Sequence, residues 1–280
     1  MAGSEHKFTD GLNLFILAHP DDEVAFAPII HRLVGERRPV RLIYLTDGSS
    51  GGSPSVRQAE TVRALAWLGV AALNLRFAGH EVGIADGQLH RNLDRALHAL
   101  EQWCAASQSI ACIYTLAWEG GHPDHDSAHV VAAAFAAGRG VASRVRQVPF
   151  YRASDRWPAP IFTVGAPLPA NGPVVSIALS LEERWLPVRL IRFYRSQWRS
   201  FVGLAPVILW HALTHRSFKM QDLSKPRLAN RPTERPLLYE VRNGVRCEDV
   251  LAAAAAFLAL QRQARQPDRV PVTAAAVRIA

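Results

Sequence analysis

Short apolar runs alternate with longer stretches in which apolar residues recur at helical spacing. Leu12 to Leu17 is uninterrupted enough, and rich enough in strand formers, to predict a buried strand. Beyond it, Val24, Phe26, Ile29, Ile30 and Leu33 repeat at the spacing of a helix face. The same alternation predicts strands over 40–46, 73–77, 109–116 and 145–151. Helices are expected over 57–68, 91–104 and 128–137, the first closed by Gly69 and the last by Gly138 and Gly140. This is the pattern of an α/β fold, a Rossmann-like, mostly parallel sheet with helices on both faces. In such sheets ligands bind at the carboxyl ends of the strands. Further on, 154–173 is proline-rich and reads as a long loop, 174–179 as a strand and 181–198 as a helix. The alanine-rich 249–260 reads as a terminal helix. With no repeat and no linker, one domain over 1–280 is expected, its core spanning about 12–200 and a C-terminal extension about 201–280.

Chemistry gathers where two of these strands end. Ala18-His19-Pro20-Asp21-Asp22-Glu23 follows the first strand directly. One imidazole and two carboxylates at the mouth of a sheet make a metal and general-base site, the alternative being that the aspartates cap the next helix. The strand over 109–116 runs into Ala117-Trp118-Glu119-Gly120-Gly121 and then His122-Pro123-Asp124-His125, ahead of a helix expected to start near Asp126 or Ser127. A zinc site with an open position takes His or carboxylate ligands from separate segments, and His19, Asp22 and His125 supply such a set. Other chemistries lack their motifs. There is no His-Glu-x-x-His, Cys-x-x-Cys or Gly-x-Ser-x-Gly, and the loop 48–53 lacks the Gly-Lys-Ser/Thr ending of a phosphate cradle, so it reads as a flexible loop at the site.

Together, Ala-His-Pro-Asp-Asp-Glu and His-Pro-Asp-His resemble the PIG-L/LmbE-like superfamily of zinc-dependent N-deacetylases. That superfamily includes GlcNAc-phosphatidylinositol deacetylases and the mycothiol- and bacillithiol-pathway deacetylases. Thr46-Asp47-Gly48, Arg57 with Glu60, Asp86-Gly87-Gln88-Leu89 and Tyr194-Arg195-Ser196-Gln197 are similar to its lesser motifs, so the resemblance runs from about Leu12 to Gln197. It implies His19, Asp22 and His125 as ligands of one Zn2+ per chain, with Fe2+ as the alternative ion. It implies Asp21 as general base, and His122 as the histidine that stabilises the oxyanion or protonates the leaving group. Arg57 and Asp86 are the residues expected to touch substrate. The chemistry of the residues agrees: neighbouring side chains diverge, so one aspartate can ligate while the other takes a proton from the attacking water. The implied reaction is removal of an N-acetyl group from a 2-acetamido sugar, releasing acetate and a free amine. Alternatives are a metal hydrolase of another amide or ester, or a non-catalytic binding protein on the same fold. In one respect the chain departs from some relatives: Gly120 stands where they have a tyrosine, so any tyrosine at the oxyanion site must come from elsewhere.

Composition narrows the setting. Three well-separated cysteines and a polar stretch at 1–10 argue against a disulfide framework and a signal peptide, which makes a cytoplasmic location the expectation. The stretch 201–213 is apolar but too short to span a bilayer, which leaves peripheral membrane contact open. The net charge of +8 is largely arginine, concentrated between Arg184 and Arg246. With no nucleic-acid motif nearby, the readings are an anionic amino-sugar substrate (nucleotide-, phosphate- or lipid-linked) or a solvated surface.

Overall fold

The computed structural model describes residues 10–50, 52–105, 108–154, 162–223 and 225–265. The chain first builds β1 (Leu12–Leu17), α1 (Glu23–Gly35), β2 (Val40–Tyr44), α2 (Pro54–Trp67), β3 (Leu75–Arg76), α3 (Ala78–Glu81) and α4 (Leu93–Trp103). It continues through β4 (Ile110–Leu116), α5 (Pro123–Gly138), β5 (Val145–Val148), β6 (Tyr151–Ala153), β7 (Phe162–Val164) and β8 (Val174–Ala178). It then adds α6 (Leu181–Ile191), α7 (Trp198–Thr214), β9 (Ser217–Asp222), α8 (Leu238–Arg242) and α9 (Cys247–Ala264).

Seven of these strands form one sheet in the order β3-β2-β1-β4-β5-β9-β8. β1 to β5 are parallel, while β9 pairs antiparallel with both β5 and β8. The expected mostly parallel α/β fold is therefore borne out. β1 lies between β2 and β4 with every residue buried, as its continuous apolar run requires. α1 packs with α6, and α4, α5 and α9 pack with one another. One contiguous apolar core extends from Leu12 to Phe257.

Strand order reverses between β1 and β4: β2 and β3 build outward on one side, β5 on the other. That reversal opens a crevice at the carboxyl ends of β1 and β4, the two strands that carry the histidine–aspartate motifs.

Several elements differ from the periodicity reading. α5 starts at Pro123, earlier than expected, because proline suits the first helical position and His122 serves as its cap. His125 therefore sits in a helix's first turn. The helix expected over 181–198 breaks after Ile191, and α7 starts anew at Trp198. In between, Tyr194 turns inward to 1% exposure and Ser196 bonds Glu60 on α2, contacts that outweigh local propensity. The strand over 145–151 ends before Pro149, which has no N–H for a ladder, and Tyr151–Ala153 pairs instead with Phe162–Val164. Part of the expected loop over 154–173 is thus β7, and residues 155–161 of it lie outside the described ones. The strand over 73–77 shrinks to two residues after a turn of 3-10 helix at Ala72–Asn74. β9, with alternating burial and mixed polarity, gave no continuous apolar signal.

Candidate metal centre

Residues 18–22 leave β1 in a tight turn fixed by their own side chains. Asp22 accepts from the backbone N–H of Ala18 at 2.9 Å and of His19 at 2.7 Å through Oδ2. That leaves its Oδ1 free to face 3.0 Å from Nε2 of His125 and 3.7 Å from Nδ1 of His19. Burial alone would raise the Asp22 carboxyl, but the two imidazoles hold it well below the usual range. Asp21 adopts φ +123°, a left-handed conformation that a non-glycine residue takes only when held there, at about 1–3 kcal/mol. Three contacts hold it. Its N–H donates to Glu23 at 3.0 Å, its carboxylate accepts from Arg57 at 2.9 Å, and Arg57 also donates to Pro20 O at 2.7 Å. Burial lifts the Asp21 carboxyl to about 6, with Arg57 pulling against the rise.

The second motif is pinned as firmly. Asp126 accepts from the N–H groups of Glu119 and Gly120, and Glu119 in turn accepts from Phe150 N at 2.7 Å. At Gly121 a Cβ would fall 1.9 Å from Tyr151 O, so only glycine lets the loop pass there. Beyond it, the Nδ1 of His122 accepts from Asp124 N at 3.3 Å and caps α5. Burial, with His19 and His125 nearby, pushes His122 down to about 3. His122 is therefore neutral, with its proton on Nε2.

Asp124 joins the two motifs. Its carboxylate is wholly buried and accepts from Leu89 N at 2.9 Å and Gly87 N at 2.5 Å, while Oδ2 lies 3.1 Å from Nε2 of His19. Asp86 Oδ1 lies 3.3 Å from the same nitrogen. Burial would lower His19, yet Asp86, Asp124 and Asp22 together raise it well above its ordinary value. A carboxylate behind a ligand histidine fixes its ring and makes it more basic.

All seven residues named from the sequence line one cleft: His19, Asp21, Asp22, Arg57, Asp86, His122 and His125. One nitrogen from each of His19, His122 and His125 lies within 4.8 Å of the others; His19, Asp86 and Asp124 form a second such group. The donors fit a divalent ion such as zinc: buried imidazoles and a carboxylate converge, and the buried Nδ1 of His125 has no hydrogen-bond partner among the described residues. Arg57 has little left for a ligand, since it also bonds Gly48 O and Asp86 at 3.0 Å each. Sequence reasoning passed over Glu23 and Tyr194, although each lies inside a quoted motif, and offered Asp124 or Asp126 as a partner of His122, whereas Asp124 bonds His19. Tyr194 donates to Glu23, whose carboxyl burial lifts to about 7, and Glu23 is what holds the Asp21 backbone. Tyr151, not noticed either, edges onto His125 with ring centroids 5.3 Å apart.

Fold and site together define a class: a doubly wound α/β protein with a histidine–carboxylate cluster at the switch point of its sheet. Residues 14–136 match the PIG-L family, described as GlcNAc-PI de-N-acetylase, and the resemblance read from the motifs is borne out over that segment. Several solved structures share the fold. Dbv21, the A40926 pseudoaglycone deacetylase, is 17% identical with a TM-score of 0.57, covering 77% of this chain and 98% of its own. A deacetylase of the teicoplanin biosynthesis pathway is 18% identical with a TM-score of 0.53, over 76% and 99%. The N,N'-diacetylchitobiose deacetylase of Pyrococcus horikoshii is 15% identical with a TM-score of 0.51, over 80% and 88%. At such identities the likeness is one of fold. No curated protein matches the chain.

Proposed function

We propose that this protein is a zinc-dependent hydrolase that removes the N-acetyl group of a 2-acetamido sugar. The observation that carries the reading is the divergence of two adjacent carboxylates: Asp22 faces His125 and His19, whereas Asp21 faces Arg57. His19, Asp22 and His125 are the residues that hold the metal. The ion, when bound, supplies Lewis acidity that polarises the acetamide carbonyl and makes water more acidic.

The remaining roles fall to the chain. Asp21, kept ionised and aimed by Arg57, takes the proton of the water that attacks the carbonyl carbon. His122 presents Nε2–H to the oxygen on which negative charge develops. When the carbon–nitrogen bond breaks, Asp21 returns its proton to the departing nitrogen, leaving acetate and a free amine. Asp124 keeps the His19 ring oriented, and Phe150 and Tyr151 wall the cleft from the side of β5 and β6.

Likeness in fold to three deacetylases, with the PIG-L match, supports the amide over an ester. The zinc-loaded protein is to be offered free, glycosidic, nucleotide-linked and lipid-linked GlcNAc. Equimolar acetate and amine from at least one, lost on chelation and restored by zinc, is expected. Failure of all four, or release indifferent to the chelator, would overturn the reading.

A further inference from the structure

One arc of α7 is apolar and faces outward. Trp198, Val202, Leu209, Trp210 and Leu213 are 58%, 64%, 40%, 64% and 55% exposed. At about 100° per residue they fall within about 120° of the helix circumference, with Arg199 the one charged side chain among them. Phe201, Leu204, Ile208 and Ala212, on the opposite arc, are the residues buried against the body of the protein. A helix facing water carries polar residues on that outer arc, and an apolar stripe there marks an interaction surface.

Charge says what it meets. Between Glu183 and Asp222 the sequence has no acidic residue, but six arginines and Lys219. Arg192, Arg195, Arg199 and Arg216 are exposed at or beside the ends of α7, and none takes part in an ion pair among the described residues. Arg192 lies over the Trp67 and Phe193 rings and Arg199 over Trp198, contacts that leave their charge uncompensated, whereas Arg184 donates to the carbonyls of Ala212 and Leu213 at the end of the helix. Trp198 and Trp210 are twelve residues, about 18 Å, apart along the axis and stand at the two edges of the arc, an indole at each margin of the apolar face.

We propose that α7 docks side-on at the surface of an anionic lipid bilayer, its outer arc among the headgroups and its flanking arginines on their phosphates. Amphipathic helices with indoles on one face and arginines at the margin bind in this way. No helix among the described residues is long and apolar enough to cross a membrane, so the contact is peripheral. A second copy of the chain is a poorer partner, since it sets the same unpaired arginines against one another. Gln197, Ser200, Phe201 and Leu204 of the α7 segment line the cleft from the inner side of the same helix, so the docking arc and the cleft share one element. Binding of this kind requires nothing of the hydrolytic chemistry and is tested apart from it.

The test is flotation of the full-length protein with vesicles of phosphatidylcholine alone or mixed with phosphatidylglycerol. The wild type is expected to float with the anionic vesicles, to remain below the neutral ones, and to detach as salt rises. The double variant Trp210→Ser/Leu213→Ser changes only exposed side chains. It should keep the wild-type melting temperature and lose at least tenfold in bound fraction. Equal flotation of variant and wild type, or none of the wild type, overturns the proposal. A dimer in light scattering that the variant converts to monomer, without flotation, assigns the face to a second copy and overturns it too. Should the variant fail to fold, quenching of wild-type tryptophan fluorescence by brominated phosphatidylglycerol decides, and its absence overturns the docking.

Discussion

Arg57 reaches across thirty-six residues of chain to donate to Asp21 at 2.9 Å, and it holds that carboxylate apart from its neighbour Asp22. The pair supports a backbone conformation that Asp21 would not keep alone. Arg57→Gln is expected to retain zinc and lower kcat by about 10² or more, because the base loses its aim while the ligands stay. Metal content and turnover measured on one preparation check this; loss of zinc in step with activity would return Arg57 to a structural role.

Removal of a ligand should act differently. His19→Ala, Asp22→Ala and His125→Ala are each expected to lose zinc and hydrolysis together, since a three-ligand site cannot spare one. Near-stoichiometric zinc in all three single variants would mean that the ligand set is wrong.

Asp21→Asn preserves shape and removes basicity. Zinc should remain, and turnover should fall by roughly two or more decades. If this variant loses its metal while turnover per remaining zinc hardly changes, the roles of Asp21 and Asp22 are to be exchanged.

His122 both caps α5 and faces the cleft, and His122→Asn separates the two functions. Asparagine caps helices well, so stability should stay within ~1 kcal/mol of wild type. The donor aimed at the oxyanion is lost, so kcat should drop about 10²-fold with little change in KM. A variant that is merely unstable, with normal turnover per folded molecule, would leave His122 as a cap alone.

Glu119 predicts a pH dependence of stability. Burial raises its carboxyl from 4.5 to about 8. Between those values the unfolded chain has released a proton that the folded one keeps. Stability therefore declines as pH rises through this window, by up to ~1.4 kcal/mol per pH unit, and is greatest below it. Glu119→Gln removes the titration. Urea melts at pH 5 and pH 8 should show a larger loss for wild type than for the variant, and equal losses would refute the shift.

The two main motifs and the central strands were legible because their signals are local. An apolar run such as Leu12–Leu17, buried on both faces, has few alternatives, and the motif residues follow it directly. What remained hidden depends on distant partners. The turn at Tyr194 exists because Glu23 receives its hydroxyl, and the separate helix α7 begins because Ser196 meets Glu60. Arg57 looked like a substrate contact, since nothing near it in sequence shows that Asp21, Asp86, Pro20 and Gly48 already occupy its guanidinium. For the same reason the sequence could offer Asp124 only as one of two candidates, with Asp126, to hold the His122 proton, whereas it ties His19 to the turn at Gly87 and Leu89.

That tie has a bearing on how the molecule comes into being. Closing His19 onto Asp124 means bringing together residues 105 apart, at a cost in chain entropy that shorter contacts do not carry. β1, β2 and the helix between them can form early from local contacts, but of the site they hold only His19, Asp21 and Asp22 and nothing to complete a cage. Only when β4 has joined β1 and started α5 do His122, Asp124 and His125 arrive. On the proposed ligand set, tight metal binding therefore waits for β1 and β4 to pair, not for β5, β9 and β8 to join, and a refolding chain would gain its ion only after that pairing.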